Sequence, residues 1–233
     1  MTESSFLSSP DPALNGEQFW LKNSQIRFRN VIDAGANRGD WTASLLSLRD
    51  EVEKVVLIEP NKDRINDLKK RFGNEIRLKI IQTALDYRED NLNLIFKKGE
   101  DTHASLSNTL PQRNAENICV QKTKTTSIDN VLESQSFEKI DLLKLDLEGF
   151  DHYGLLGARR ALTNEQIGVI QFEVTRFWEN SSCSPCATFR LLKIHGFEIH
   201  FIKNQELIHL NAVEQLPHFS LYSNFCAIHR SIL

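Results

Sequence analysis

The sequence predicts an α/β fold, a mostly parallel sheet with helices on both faces. Two patterns predict it. From Asn30 onward, short β-branched apolar runs alternate with stretches whose apolar residues recur at helical spacing, and that alternation marks strand–helix–strand units. The first run also ends in Asp33-Ala-Gly35, a glycine turn leading into a helix rather than a hairpin. Right-handed crossovers then leave few topologies for the strands.

The elements follow in order. Val31 and Ile32 enter the turn, and Trp41, Leu45 and Leu48 recur at i, i+4 and i+7, one face of a helix. Residues 55–58 suit a buried parallel strand. Asn61 caps the next helix, whose face is Ile65, Leu68 and Phe72, and Gly73 stops it. Residues 76–81 read as a third strand. Residues 92–96 and 118–120 read as short strands around a polar loop with His103, Ser105, Asn108 and Pro111. Loops of that length tend to be functional, and the 97–118 segment is expected to move and to cover the cleft. Ser127 caps a short helix through Leu132; 140–145 is a strand, 150–162 a helix and 169–174 a strand. Ser184-Pro185 opens a helix that stops at Gly196. Phe197, Ile199 and Phe201 alternate as a strand, and 219–228 form a last one.

Composition sets limits around this core. Forty per cent of the 233 residues are apolar, enough for a sizeable interior. Twenty-eight Lys and Arg against 31 Asp and Glu give a net charge of −3, with no basic face for a phosphate backbone, so no nucleic-acid partner is expected. No apolar run approaches the roughly 18 residues of a membrane span. Asp11 and Glu17 interrupt the first twenty residues, unlike a secretory signal. Four cysteines in a chain of this length suit a reducing compartment, and the cytoplasm is the expected location. Residues 1–29 are expected to form a partly disordered arm, with Phe19, Trp20, Leu21 and Ile26 docking its second half on a domain over 30–233.

Three segments carry chemistry. In Asp33-Ala-Gly-Ala-Asn-Arg-Gly39, Gly35 and Gly39 lack a β-carbon and let a ligand approach the backbone at a helix N-terminus. Their spacing differs from the dinucleotide fingerprint. Glu59 ends the second strand, 20 residues after Gly39, where α/β folds hold ribose hydroxyls. In residues 140–149, Lys144, Asp146 and Glu148 share one side of a strand end. Desolvating three ionic groups there is costly without partners, so a cleft is their natural place.

Together these segments resemble the FkbM-type family of S-adenosylmethionine-dependent methyltransferases. The matching pieces are D-A-G-A-N-R-G at 33–39, I-E-P-N at 58–61 and I-D-L-L-K-L-D-L-E-G at 140–149, with Gly157-Ala158 and Ile170-Gln-Phe-Glu173 also fitting. The resemblance covers roughly residues 30–200. It implies a class I methyltransferase fold, a Rossmann-like sheet with a reversed last strand. It implies methyl transfer, typically onto a hydroxyl oxygen, with S-adenosylmethionine as donor and a sugar, glycan or other small metabolite as acceptor. Carried over residue by residue, Asp33, Gly35, Asn37 and Gly39 line the methionine end of the cofactor. Glu59 holds the ribose and Ala84 lies by the adenine. The chain departs from the family where Leu85-Asp86-Tyr87 follows Ala84 in place of a Ser-Asp step, so the adenine contact stays open among these side chains, with Asp86 a candidate. It also departs at Arg38 and at Asp151, an acid one methylene shorter than usual.

The fourth strand, lying beside the first, places Asp146 at the reacting end of the cofactor, and Asp146 is the expected general base. Glu148 and His152 are the next candidates, and Glu173 is a more distant wall. An exposed Asp is a weak base, so the cleft would have to raise its pKa, and Lys144 would oppose that if it reached the carboxylate. No metal is expected. Cys183 and Cys186 straddle a helix start without a second pair; Asp146, Glu148 and His152 could hold Mg²⁺, but oxygen methylation needs no metal when a base is present. Two rival functions are a cofactor-binding module without activity and a nicotinamide-dependent oxidoreductase. The acidic cluster opposes the first and the glycine spacing opposes the second.

Overall fold

The computed structural model describes residues 15–97, 100–107, 117–175, 178, 184–210 and 222–233. Residues 1–14 of the expected arm, residues 108–116 of the expected loop and Cys183 lie outside them.

The chain opens with α1 (Glu17–Asn23) and then runs β1 (Asn30–Ala34), α2 (Asp40–Leu48), β2 (Lys54–Ile58), α3 (Lys62–Phe72) and β3 (Leu78–Ile81). The Asn61 side chain accepts the Asp63 N–H, the cap the sequence indicated. The third strand starts two residues later than expected. Ile76 is 97% exposed, because turn hydrogen bonds from Glu75 N to Phe72 O and from Leu78 N to Glu75 O hold it outside the sheet.

Next come β4 (Ala84–Leu85), β5 (Asn91–Lys97), β6 (Glu100–Ser107) and β7 (Ile118–Thr126), which form a second sheet in the order β4-β7-β5-β6. The expected loop therefore contains a strand, β6, paired antiparallel with β5. Its polar composition hid a backbone that the β5 ladder satisfies. His103 is carried by β6, and its side chain lies outside the described residues.

The rest is α4 (Ile128–Ser134), β8 (Ile140–Leu145), α5 (Asp151–Leu156), α6 (Arg159–Thr163), β9 (Ile167–Thr175), α7 (Pro185–Ile194), β10 (Phe197–Lys203), β11 (Glu206–His209) and β12 (Tyr222–His229). The single helix expected over 150–162 is two helices, broken at Gly157-Ala158. A β-carbon on Gly157 would sit 2.8 Å from the Asp86 carbonyl oxygen, and the Asp129 carboxylate caps α6 by accepting from Arg160 N and Ala161 N, each at 2.9 Å.

The main sheet has the order β11-β10-β12-β9-β8-β1-β2-β3. Strands β3, β2, β1, β8 and β9 run parallel, and the last strand, β12, is antiparallel to both β9 and β10. The reversed last strand is thus present. β11, too short to read from sequence, adds an outer edge. One sheet face packs Ile32, Leu143, Ile170 and Phe172 against α4–α7. The other packs Val31, Val55, Leu142 and Val169 against α1–α3. At the carboxyl ends of the strands this second face turns polar: Asp33 lies opposite Lys144, and Lys144 opposite Gln171.

Residues 15–29 belong to this core. Trp20, Leu21 and Phe28 are buried in the same cluster as β1, and the Gln171 amide donates to the Glu17 carboxylate. Leu21→Ala should therefore destabilise the chain by roughly 2–5 kcal/mol, the range for a buried Leu. Urea denaturation checks this; a loss well under 1 kcal/mol would make the segment a loosely docked arm.

Candidate active site

The cleft is built from strand ends. Gly35 N and Ala36 N both donate to the Ile58 carbonyl, at 2.9 and 3.1 Å, tying the first turn to the end of β2. Asp146 N donates to the Ala34 carbonyl at 3.0 Å, tying β8 to β1. Gly35 has φ +79°, and a β-carbon there would lie 2.0 Å from the Asp146 carbonyl oxygen. Its missing side chain admits the neighbouring backbone. Gly39, at φ +78°, is needed for α3: a β-carbon would meet Phe72 at 2.3 Å and Leu68 at 2.9 Å. Both glycines are thus explained by contacts within the protein, where the sequence suggested a ligand.

Two chambers meet at this turn. The first is walled by Ile58, Pro60, Ala84, Leu85, Leu94 and Leu106 and carries the Glu59 carboxylate. The second is walled by Glu17, Trp41, Lys144, Gln171, Glu173 and Asn224, among others. Gly35, Asn37, Asp146 and Glu148 belong to both walls and form the passage between them.

Glu59 is buried in the first chamber. Its Oε2 accepts the Asn37 N–H at 2.9 Å and its Oε1 the Asn61 N–H at 2.8 Å. Burial raises its pKa to about 7 against those two hydrogen bonds. Asn37 reaches this position with φ +47°, a left-handed conformation that Asn tolerates better than most residues.

The second chamber is organised by Lys144. Its Nζ donates to Asp146 Oδ2 at 3.0 Å and lies 4.0 Å from Asp33 Oδ1. Burial works against this ammonium, but Asp146, Asp33 and Glu17 outweigh it and hold its pKa above the ordinary lysine value. Acids outnumber it. Burial, reinforced by Asp146 and Asp151, pushes Glu148 up to about 8. Burial likewise raises Glu173, Glu17 and Asp33. Glu148 also has φ +52°, a strained backbone for a non-glycine residue and one that places it in the passage.

The residues singled out from sequence divide accordingly. Gly35, Asn37, Glu59, Ala84, Asp146 and Glu148 line the chambers. Asp33 lies beneath them, fully buried, accepting from the Thr42 hydroxyl at 2.5 Å. Gly39 packs on α3, away from both walls. Asp86 is buried and accepts the Arg88 N–H at 3.0 Å, so Thr83 to Leu85 make that wall. His152 pairs with the Thr188 hydroxyl at 2.8 Å, toward α7. Sequence reasoning missed Glu17, Gln171 and Asn224. The 2-residue alternation of Gln171 and Glu173 on β9 was their one visible signal, since Asn224 and Glu17 arrive from distant segments. It also missed Leu94 and Leu106, supplied by the second sheet.

A stability consequence follows from these acids. Between about pH 6.5 and 8 the folded chain holds protons on Glu148, at about 8, and on Glu59 and Asp151, at about 7. The unfolded chain has already released them, from ordinary values of 4.5 for Glu and 3.8 for Asp. Stability must then fall as pH rises through this window, by up to ~1.4 kcal/mol per pH unit for each protonated group. His152 and His200, whose pKa values burial lowers, act in the opposite sense only below 6.5. The urea midpoint of the ligand-free chain should be lower at pH 8 than at pH 6.5; a higher midpoint would contradict the buried acids.

Comparison with known proteins agrees with this architecture. The sequence profile of the "Methyltransferase FkbM domain" family matches residues 33–205, most of the chain. No curated protein matches. Among solved structures, the chain resembles methyltransferase FkbM from Methylobacillus flagellatus KT, with a TM-score of 0.58 and 15% identity, over 97% of this chain and 50% of that one. The chain thus spans half the length of that relative. It also resembles precorrin-6y C5,15-methyltransferase from Geobacter metallireducens GS-15, with a TM-score of 0.50 and 8% identity, over 97% of this chain and 95% of that one. At such identities the structural likeness is one of fold. The family match displaces the nicotinamide-dependent reading, and no helix among the described residues is long and apolar enough to cross a membrane. The chain belongs to the FkbM family of S-adenosylmethionine-dependent methyltransferases.

Proposed function

We propose that the chain methylates a hydroxyl oxygen on a sugar, glycan or other small metabolite. The observation that carries this reading is the meeting of two chambers at Asp146 and Glu148. The first suits a nucleoside: an apolar slot from Ile58 to Leu106 for the base, and the Glu59 carboxylate for ribose hydroxyls. The second, rich in acceptors, suits a hydroxylated ligand. Trp41 Nε1 and Gln171 Oε1, on two residues of its wall, have no hydrogen-bond partner among the described residues.

The residues present fit S-adenosylmethionine. Gly35, Asn37 and Glu59 would hold it in the first chamber, with its cationic end toward Asp146 and Glu148. When bound, it supplies an activated methyl group on a sulfonium. The protein then has to orient the acceptor oxygen, exclude water and take the hydroxyl proton.

Glu148 is the base we assign. Lys144 does reach Asp146, at 3.0 Å, and occupies the oxygen that a base would use. Glu148 keeps its carboxyl in the passage, with a pKa of about 8 that suits proton transfer near neutral pH. Asp146 anchors Lys144 and fixes the passage. His152, turned toward Thr188, takes no part in this reading.

Radiolabelled S-adenosylmethionine offered with a panel of monosaccharides, oligosaccharides and amines tests the acceptor class. Label on oxygen supports the reading; label confined to nitrogen or carbon would overturn it. Glu148→Gln should lower turnover by about 10²–10⁴-fold, a larger factor than any accompanying loss of cofactor affinity. In the wild type, kcat/KM should fall as pH drops below about 8, where Glu148 becomes protonated. Unimpaired turnover in the variant would move the base elsewhere.

A further inference from the structure

On the same sheet face as Lys144, but at the far edge, lies a second group of side chains. Glu198 and His200 stand two residues apart on β10, so alternation puts them on one face. His209 lies directly opposite His200 on β11. One ligand atom from each of the three falls within 4.8 Å of the other two. No other trio of His, Cys, Asp or Glu among the described residues meets that test.

Their present contacts leave this group incomplete. His200 Nδ1 is buried without a hydrogen-bond partner among the described residues. His209 Nε2 lies 3.8 Å from Glu198 Oε2, too far for a good hydrogen bond. The two imidazole rings are tilted by 53° to each other, with centroids 5.1 Å apart.

We propose that Glu198, His200 and His209 form a binding site for a divalent transition metal of the zinc class. Two imidazoles and a carboxylate suit Zn²⁺, Co²⁺ or Ni²⁺, whereas Mg²⁺ and Ca²⁺ take mainly oxygen ligands. Zinc–ligand bonds of about 2.0–2.2 Å in tetrahedral geometry place ligand atoms roughly 3.4 Å apart. Binding would have to draw the three atoms, now within 4.8 Å of one another, in to that spacing by side-chain rotation. Three protein ligands leave a fourth position for water. Arg230 Nε, 3.4 Å from Glu198 Oε1, competes for the carboxylate and moderates the affinity. The metal would clip the four-residue edge strand β11 to β10, two strands from Gln171 in the cleft wall. The site is independent of the methyl-transfer reading.

The test uses the full chain without an added histidine tag, stripped by chelator, with Cys183→Ser and Cys186→Ser removing the thiols near α7. Zn²⁺ is titrated by calorimetry and Co²⁺ by visible absorption. The expected result is one equivalent bound at micromolar Kd, Co²⁺ bands of a four-coordinate site, and no response to Mg²⁺. His209→Ala and Glu198→Gln should each weaken Zn²⁺ at least ~10-fold, since each removes one of three ligands. Zn²⁺ should also raise the melting temperature of the parent but not of His209→Ala. The metal-free melt of each variant reports its folding independently. No saturable binding up to about 1 mM, or unchanged affinity in both variants, would overturn the proposal.

Discussion

One buried ammonium holds the site and the fold together. Lys144 sits on a sheet face within reach of Asp146 and Asp33, and Glu17 adds its field from α1. An isolated charge in that position would lose its proton or distort the fold, because desolvation penalises the charged form. The carboxylates reverse that balance. Removing one partner of a fully buried pair typically costs about 3–5 kcal/mol; the Asp146 side chain is 37% exposed, so solvent screening makes its loss cost less. The cluster therefore fixes the ends of β1 and β8, and through the Gln171–Glu17 hydrogen bond it helps to seat α1.

The same cluster leaves the site with more acids than bases. Glu17, Glu148 and Glu173 surround the passage with a single lysine among them, and burial raises the pKa of all three. Holding acids in their neutral form detracts from stability above pH 6.5. It also presents groups that ionise when a cation arrives, without reorganising the backbone. The left-handed Glu148 belongs to the same trade between stability and function.

Much of the fold was legible because periodicity and turn chemistry agree in it. Gly73 and Asn61 bound α3, and the apolar runs at β2 and β8 are buried strands. The misses have local causes. β6 is polar and draws its order from pairing with β5, and the 150–162 helix is broken by a close approach to Asp86 that no window of sequence reveals. In the site, Glu59 and Glu148 were visible because acids at strand ends stand out. Asp33, expected at the methionine end of the cofactor, lies buried beneath the cleft against Thr42, and Gly39, expected beside it, makes room for Phe72. Glu17 was hidden by its 154-residue separation from Gln171, a partner that only the folded register supplies.

The central claim is that the passage acids stay partly protonated until a cation binds beside them. Calorimetric binding of S-adenosylmethionine and of its neutral demethylated product, measured at pH 7 in buffers of different ionisation enthalpy, counts the protons released by each. The two ligands differ in the methyl group and its sulfonium charge. Greater proton release with S-adenosylmethionine is the predicted result, because its charge lowers the pKa of Glu148 and Glu173. Equal release with both ligands would place the cation away from those carboxylates and contradict the account.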